Sequence, residues 1–240
     1  MLSIKNLSVK VDNLDILENI NLDILDGEIH VLMGPNGAGK SSITKVITGN
    51  KDYQVRGSIK YNGEELLGKS ITDIARAGIY SVSQNPIEVE GVSNALMLRT
   101  LLNEKNKENI NIFEFNRELE SICKKLDLDK SFIHKDINVS CSGGERKKIE
   151  LMHMWVIKPS FIILDEIDSG LDVDSVKVVM NNIKEYYMEY KPSILIITHE
   201  ERLIRYFDEF KVHVLNNKKI VKSGDKELAI DILKNGFKNI

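Results

Sequence analysis

The chain has 240 residues, 42% of them hydrophobic and 29% charged, and a formal net charge of −3 from 33 basic and 36 acidic side chains. That length supports one large domain with a sizeable core, and the charge balance excludes bulk electrostatic binding to nucleic acid or an anionic membrane. Two cysteines, Cys123 and Cys141, make no disulfide framework and lack metal-ligand spacing. No apolar run nears the roughly 18 residues of a membrane helix, so a cytoplasmic chain without membrane insertion is expected.

The opening stretch, MLSIKNLSVK, alternates apolar and polar residues like a strand and lacks the pattern of a signal or transit peptide. Ile29–Met33 is a short apolar run of the kind that forms a buried parallel strand. It leads into Gly34, Pro35, Asn36, Gly37, Ala38, Gly39, Lys40 and Ser41, a complete G-x-x-x-x-G-K-[ST] motif followed by Ser42. Glycines let the backbone wrap phosphate oxygens without a Cβ in the way, and the helix start that follows adds partial positive charge. In such a loop Lys40 reaches the β- and γ-phosphates and the Ser41 hydroxyl ligates Mg²⁺. Ile43, Val46 and Ile47 recur at helical spacing, and Gly49 ends the helix.

Ile79–Ser83 reads as a strand ending at Gln84, whose amide can reach a metal ion or water. From Gln84 to Leu102 the chain passes a proline and becomes partly apolar, with Val92, Leu96 and then Leu98 to Leu102 supplying a partly apolar face. Asn103–Asn111, the most polar stretch, reads as an exposed loop between helices. Ser142, Gly143, Gly144 and Glu145 precede a helix with Ile149, Met152 and Val156 on one face, giving a second anion-binding helix start. Phe161–Leu164 is another buried strand; at its carboxyl end Asp165 is placed to hold Mg²⁺ through water, and Glu166 to polarise the attacking water. Ser193–Thr198 forms a third strand that delivers His199 to the same chemistry.

These four pieces, in this order, resemble the ATP-binding-cassette ATPases, and the likeness covers essentially the whole chain. The resemblance makes Gly34–Ser42 the Walker A loop, Asp165 the end of Walker B and Glu166 the catalytic carboxylate. It makes Gln84 the Q-loop glutamine, Ser142–Glu145 the signature, Ser169–Asp172 the D-loop and His199 the switch histidine. It implies ATP and Mg²⁺, and a transient homodimer formed on ATP binding in which the signature, with Asp172, serves the opposite protomer's nucleotide. Finer stretches resemble the SufC subfamily, the ATPases of the SUF iron–sulfur cluster assembly system: QNPIEVEGVSN, KDYQVRGSI, DEIDSGLDVDSVKVV and VHVLNNKKIVKSGD. The partners so implied are SufB and SufD, or SufB alone, gripping the Gln84–Leu102 region. Cys141 and Glu145 depart from the transporter signature, and Val11–Asn13 offers no aromatic ring to stack on adenine.

The fold expected is α/β: a mainly parallel core sheet, an antiparallel β part near the N-terminus and a helical subdomain. In domain terms, residues 1–240 form one cassette, with 1–85 and 138–240 as the catalytic core, 86–137 as the helical subdomain and 225–240 as a helix plus short tail. Two other functions stay open at this level: the nucleotide-binding subunit of a membrane transporter, and a non-catalytic nucleotide-binding regulator. The complete set of catalytic residue types argues against the regulator.

Overall fold

The computed structural model describes residues 1–84, 86–198 and 205–237. Packing divides the chain into two compact units, Met1–Ser81 with Ser160–Glu166 and Lys191–Ile240, and Val82–Pro159 with Ile167–Tyr190. The 86–137 segment lies wholly within the second unit, which also takes in the helices at 143–157 and 173–190.

In the first unit, β1 (Leu2–Val11), β2 (Leu14–Ile24), β4 (Gln54–Tyr61) and β5 (Glu64–Glu65) form a four-stranded antiparallel sheet in the order β2-β1-β4-β5. Its hydrophobic alternation changes parity mid-strand. Leu2 and Ile4 are buried on even positions, Leu7 and Val9 on odd ones. The switch occurs at Asn6, which has φ 50° and sits at a register shift; Asn19 on β2, φ 51°, does the same between Leu17 and Ile20. A bulge of this kind keeps the apolar side chains on one face, and asparagine tolerates the left-handed backbone better than most residues. The displaced amides keep acceptors: Asn6 N–H donates to Asn21 Oδ1 at 3.0 Å and Asn19 N–H to Ser8 Oγ at 3.1 Å.

The second sheet of this unit has six strands in the order β12-β11-β3-β10-β9-β6, from β3 (Ile29–Met33), β6 (Ile79–Val82), β9 (Phe161–Asp165), β10 (Ser193–Ile197), β11 (Lys211–Asn216) and β12 (Lys219–Gly224). β11, β3, β10 and β9 run parallel, and β12 returns antiparallel to β11. Every residue of β3, β9 and β10 is buried, which explains their unbroken apolar runs. One core joins the two sheets and α1 (Lys40–Ile47) through Leu7, Leu22, Leu32, Ile43, Phe161 and Leu195. The α/β architecture and the antiparallel N-terminal sheet are those expected.

The second unit centres on α5 (Gly143–Ile157), which packs against α3 (Asn94–Asn106), α4 (Ile112–Lys125) and α6 (Val173–Tyr190). Enclosed on these sides, α5 buries Ile149, Leu151, Met152, Met154, Trp155 and Val156 rather than a single stripe. Two short strands, β7 (Val89–Ser93) and β8 (Asp136–Ile137), pair beside it. The loop expected at Asn103–Asn111 is shorter than read. α3 continues through Asn106, because Lys105 Nζ donates to the Ile157 carbonyl at 3.1 Å and the next residue, Lys107, turns left-handed to end the helix. The C-terminal helix, α7, spans Lys226–Asn235; residues 238–240 of the expected tail lie outside the described residues.

A polar chain crosses the buried β3–β11 seam. His30 Nδ1 lies 2.9 Å from His213 Nε2, His30 Nε2 lies 2.9 Å from Glu28 Oε2, and His213 Nδ1 lies 2.8 Å from Ser223 Oγ. Lys211 Nζ pairs with Glu28 Oε1 at 2.6 Å. Against the cost of burial, hydrogen bonds from Lys211, His30 and the Leu25 N–H hold the Glu28 carboxyl down to about 2. Burial, then the neighbouring His30 and Lys211, pushes the His213 imidazole down to about 4, opposed by Glu28; burial also lowers His30, opposed by Glu28.

The unfolded chain therefore binds more protons at these histidines below pH ~6.5, so their contribution is present above that pH and is lost as pH falls toward ~4. Urea unfolding at pH 7.5 and 5.5 should show His213→Gln losing about 1 kcal/mol less than the parent over that interval. Equal losses would show that His213 does not carry this pH dependence.

Candidate nucleotide-binding and hydrolysis site

The first unit brings the phosphate loop and both carboxylates together. β3 ends at Met33, the loop turns through Gly37 (φ 80°) and Gly39 (φ 101°), and α1 begins at Lys40. Gly34 has no room for a side chain: a Cβ there would lie 2.2 Å from the Leu215 carbonyl oxygen of β11. Lys40 is buried, and its Nζ donates to the carbonyls of Gly34 at 2.9 Å and Pro35 at 3.1 Å, folding the loop around its own ammonium. Burial lowers the Lys40 pKa, while Glu166 and Asp165 act to raise it.

Asp165, the last residue of β9, is held against the first turns of α1. The Ser41 hydroxyl donates to its Oδ1 at 3.4 Å, and the Thr44 hydroxyl lies 3.0 Å from Oδ2 and 2.8 Å from the Ser41 carbonyl. Glu166 follows at φ 46°, a left-handed conformation that costs a glutamate roughly 1 kcal/mol or more, and its N–H donates to the Ile197 carbonyl of β10 at 3.0 Å. Strain of that kind, anchored by a neighbouring strand, is common where a functional side chain is aimed.

These residues fit a triphosphate with its divalent cation. The N-cap of α1 is Gly39, with no side-chain cap hydrogen bond. In contrast, Ser93, Asn111, Ser142 and Asp225 each supply a side-chain acceptor to the start of their helices. An uncapped helix start preceded by glycines suits an anionic oxygen as its cap. Ser41 and Asp165 are two protein oxygens of the hard type Mg²⁺ prefers, and Mg²⁺ takes the rest of its shell from water and phosphate.

The second unit carries the other phosphate-binding candidates. Ser142 is the N-cap of α5, and its Oγ accepts from the Glu145 N–H at 3.3 Å while Glu145 Oε2 accepts from the Ser142 N–H at 2.7 Å. Glu145 is thus committed to a capping box, and hydrogen bonds to its carboxylate from the Ser142 N–H and then the Ser142 hydroxyl lower its pKa. Gly144 leaves little space: a Cβ would come 3.1 Å from Ser175 Oγ, so that the serine would have to give by a few tenths of an ångström. Asp172 caps α6, accepting from the N–H groups of Asp174 at 3.0 Å and Ser175 at 2.9 Å and from Ser175 Oγ at 2.8 Å. Gln84 is exposed, just beyond β6. His199, expected as the switch histidine, lies outside the described residues. Cys123 and Cys141 are buried; burial pushes the Cys123 thiol up to about 11 and raises Cys141.

Three contributors escape a reading of the sequence. Thr44 sits one turn beyond Ser41, a spacing that puts both on one helix face, but nothing in the sequence says that Asp165 meets that face. The Leu215 carbonyl and the buried pair Lys147 and Glu150 give no motif at all.

A family model described as ABC transporter matches residues 17–169. The chain belongs to the ATP-binding-cassette family. Over 242 residues it is 39% identical to the "Probable ATP-dependent transporter SufC" of Escherichia coli (strain K12), covering 99% of this chain and 97% of that protein. "Vegetative protein 296" of Bacillus subtilis (strain 168) is 38% identical over 239 residues, covering 98% and 91%. Within the family the chain is therefore of the SufC type. Among solved structures, the post-hydrolysis dimer of the ATP-binding cassette MJ0796 bound to ADP and Pi matches with a TM-score of 0.79 at 19% identity, covering 93% of this chain and 98% of that one. At that identity the likeness concerns the fold. As an ABC ATPase the chain hydrolyses ATP and uses Mg²⁺.

The Gly34 contact gives a graded expectation. Gly34→Ala should destabilise the protein by about 1–3 kcal/mol, because backbone must yield to the new methyl. Gly37→Ala meets nothing within 4 Å and should cost only its left-handed backbone, about 1–2 kcal/mol. Urea midpoints read the order, and nucleotide titration should show at least ten-fold weaker binding for Gly34→Ala.

Proposed function

We propose that this ABC ATPase is the motor subunit of a SufBCD-type iron–sulfur cluster assembly complex, pairing with a second copy on ATP binding and parting on hydrolysis. The observation that carries the reading is that the uncapped, glycine-led start of α1 and the Ser142-Gly143-Gly144 start of α5 stand in separate compact units of one chain. Two copies arranged head to tail would give each ATP one start of each kind, and the MJ0796 cassette, similar in fold, is described as a dimer.

In this reading the loop amides and Lys40 bind the β- and γ-phosphates, and Ser142 of the other copy donates to the γ-phosphate. Ser41 and Asp165 would hold Mg²⁺, which when bound offsets the phosphate charge. Glu166 accepts a proton from water as the water oxygen attacks the γ-phosphorus, and the bond from that phosphorus to the bridging oxygen breaks to release ADP. Gln84 and His199 orient the water, and Asp172 fixes the start of α6 beside the signature glycines.

The partner surface is the Gln84–Leu102 region. Ile87, Val89, Leu96 and Leu101 are exposed there, apolar side chains that a helix of SufB or SufD would cover. The names of the relatives, with "transporter" in them, favour a second reading as a permease subunit. No helix among the described residues is long and apolar enough to cross a membrane. A pull-down from fractionated lysate separates the two: soluble scaffold proteins support the motor, and recovery with an integral membrane protein supports the permease.

Glu166→Gln should keep ATP affinity while turnover falls on the order of 10²–10⁴-fold. Ser142→Ala should cost about 1 kcal/mol of stability as a lost cap and lower turnover far more than ATP affinity. Scattering on nucleotide-saturated Glu166→Gln should find pairs; solitary particles would count against the shared site.

A further inference from the structure

β6 ends at Val82, and residues 83, 84 and 86–88 belong to no helix or strand. Their backbone groups need partners from elsewhere. For Ser83 and the Gln84 carbonyl, two side chains of α5 supply them. Lys147, 2% exposed, donates from Nζ to the Ser83 carbonyl and, at 3.2 Å, to the Gln84 carbonyl. Glu150, also buried and on the same helix face, accepts from the Ser83 N–H and from Ser83 Oγ, each at 3.3 Å. The two charges lie 3.8 Å apart, three residues apart along the helix. Burial pushes the Glu150 carboxyl up to about 7, against the pull of Lys147 and Ser83.

Burying a lysine and a glutamate costs several kcal/mol, and apolar side chains of similar volume commonly serve stability as well or better. Here the charges meet the backbone on both sides of the peptide that joins Ser83 to Gln84. They sit on the helix that begins with Ser142, one turn and two turns beyond it. We propose that Lys147 and Glu150 are positioning residues that clamp the Gln84 loop to the signature helix, so that the Gln84 amide and the Ser142 hydroxyl are carried by one rigid body. The proposal rests on the role given to Gln84 under Proposed function. It deepens that reading by naming what sets the glutamine's place and what moves with it: when α5 shifts, the glutamine shifts too, and a partner that grips the chain after Gln84 pulls on α5 through the same two side chains.

Two measurements on the full chain test it. The first is a double-mutant cycle on Mg-ATP turnover with Lys147→Met, Glu150→Gln and Gln84→Ala. Each α5 substitution should lower kcat ten-fold or more, change the KM for ATP less than three-fold and raise the Mg²⁺ concentration for half-maximal rate. In the Gln84→Ala background the further loss should be under two-fold. Losses that multiply through, or full turnover in a folded Glu150→Gln protein, overturn the clamp. The paired Lys147→Met/Glu150→Met variant removes both charges together and runs the same cycle if a single substitution misfolds.

The second measurement is amide hydrogen exchange of the peptide spanning 80–90, which needs no catalysis. Exchange there should quicken at least ten-fold in Glu150→Gln with the rest of α5 unchanged; unaltered exchange overturns the proposal. A parent protein that binds but never turns over ATP, yet shows this exchange pattern, would keep the clamp and sink the motor reading.

Discussion

Everything at the catalytic edge depends on the register of three parallel strands. Ile197 of β10 pairs with Leu32 of β3 on one side and with Asp165 of β9 on the other. That row puts the residue two before the phosphate loop and Asp165, the carboxylate proposed to hold Mg²⁺, at the same height across the sheet. The next peptide on β9 belongs to Glu166, whose N–H is captured by the Ile197 carbonyl. A slip by one residue would send Asp165 to the opposite face, since successive side chains alternate. The unbroken burial of the three strands forbids the slip, because either face is packed. The chemistry is thus set by hydrophobic packing that contains none of the reacting groups.

From that row the polar contacts work outward. Asp165 takes hydrogen bonds from the first and second turns of α1, which fixes the helix to the strand and the loop between them. Lys40 closes the loop from inside, and the Leu215 carbonyl closes it from outside. The second unit uses a different device. Its helix starts are closed by their own side chains, Ser142 with Glu145 on α5 and Asp172 on α6. Neither glycine there has the left-handed backbone of Gly37 and Gly39, and the narrow gap is the one between Gly144 and Ser175.

Much of this was legible in the sequence, and the boundary is physical. The glycine–lysine–serine spacing and the apolar runs ending in Asp165 and at Thr198 are local signals, and the strands stand where those runs predict. Parity changes at Asn6 and Asn19 are local too, yet they hide inside a pattern that still looks like alternation. Contacts between elements distant in the chain were not legible: Thr44 on Asp165, Leu215 on Gly34, and Lys147 beneath Ser83. Each joins a residue type with many ordinary uses to a partner that only the fold brings near. The polar run at 103–106 misled because hydrophilic residues with straight side chains form helices as readily as loops, and its anchor, the Ile157 carbonyl, lies some fifty residues on.

The buried histidine pair has a consequence for where its protons reside. Glu28, held ionised, can only accept, so the His30 nitrogen facing it must bear hydrogen. The other His30 nitrogen is then bare and draws the hydrogen of His213 Nε2, which leaves His213 Nδ1 to receive the Ser223 hydroxyl. One half-buried carboxylate thus dictates the tautomer of two rings and the rotor of a serine, a polarised wire laid from β3 across β11 to β12.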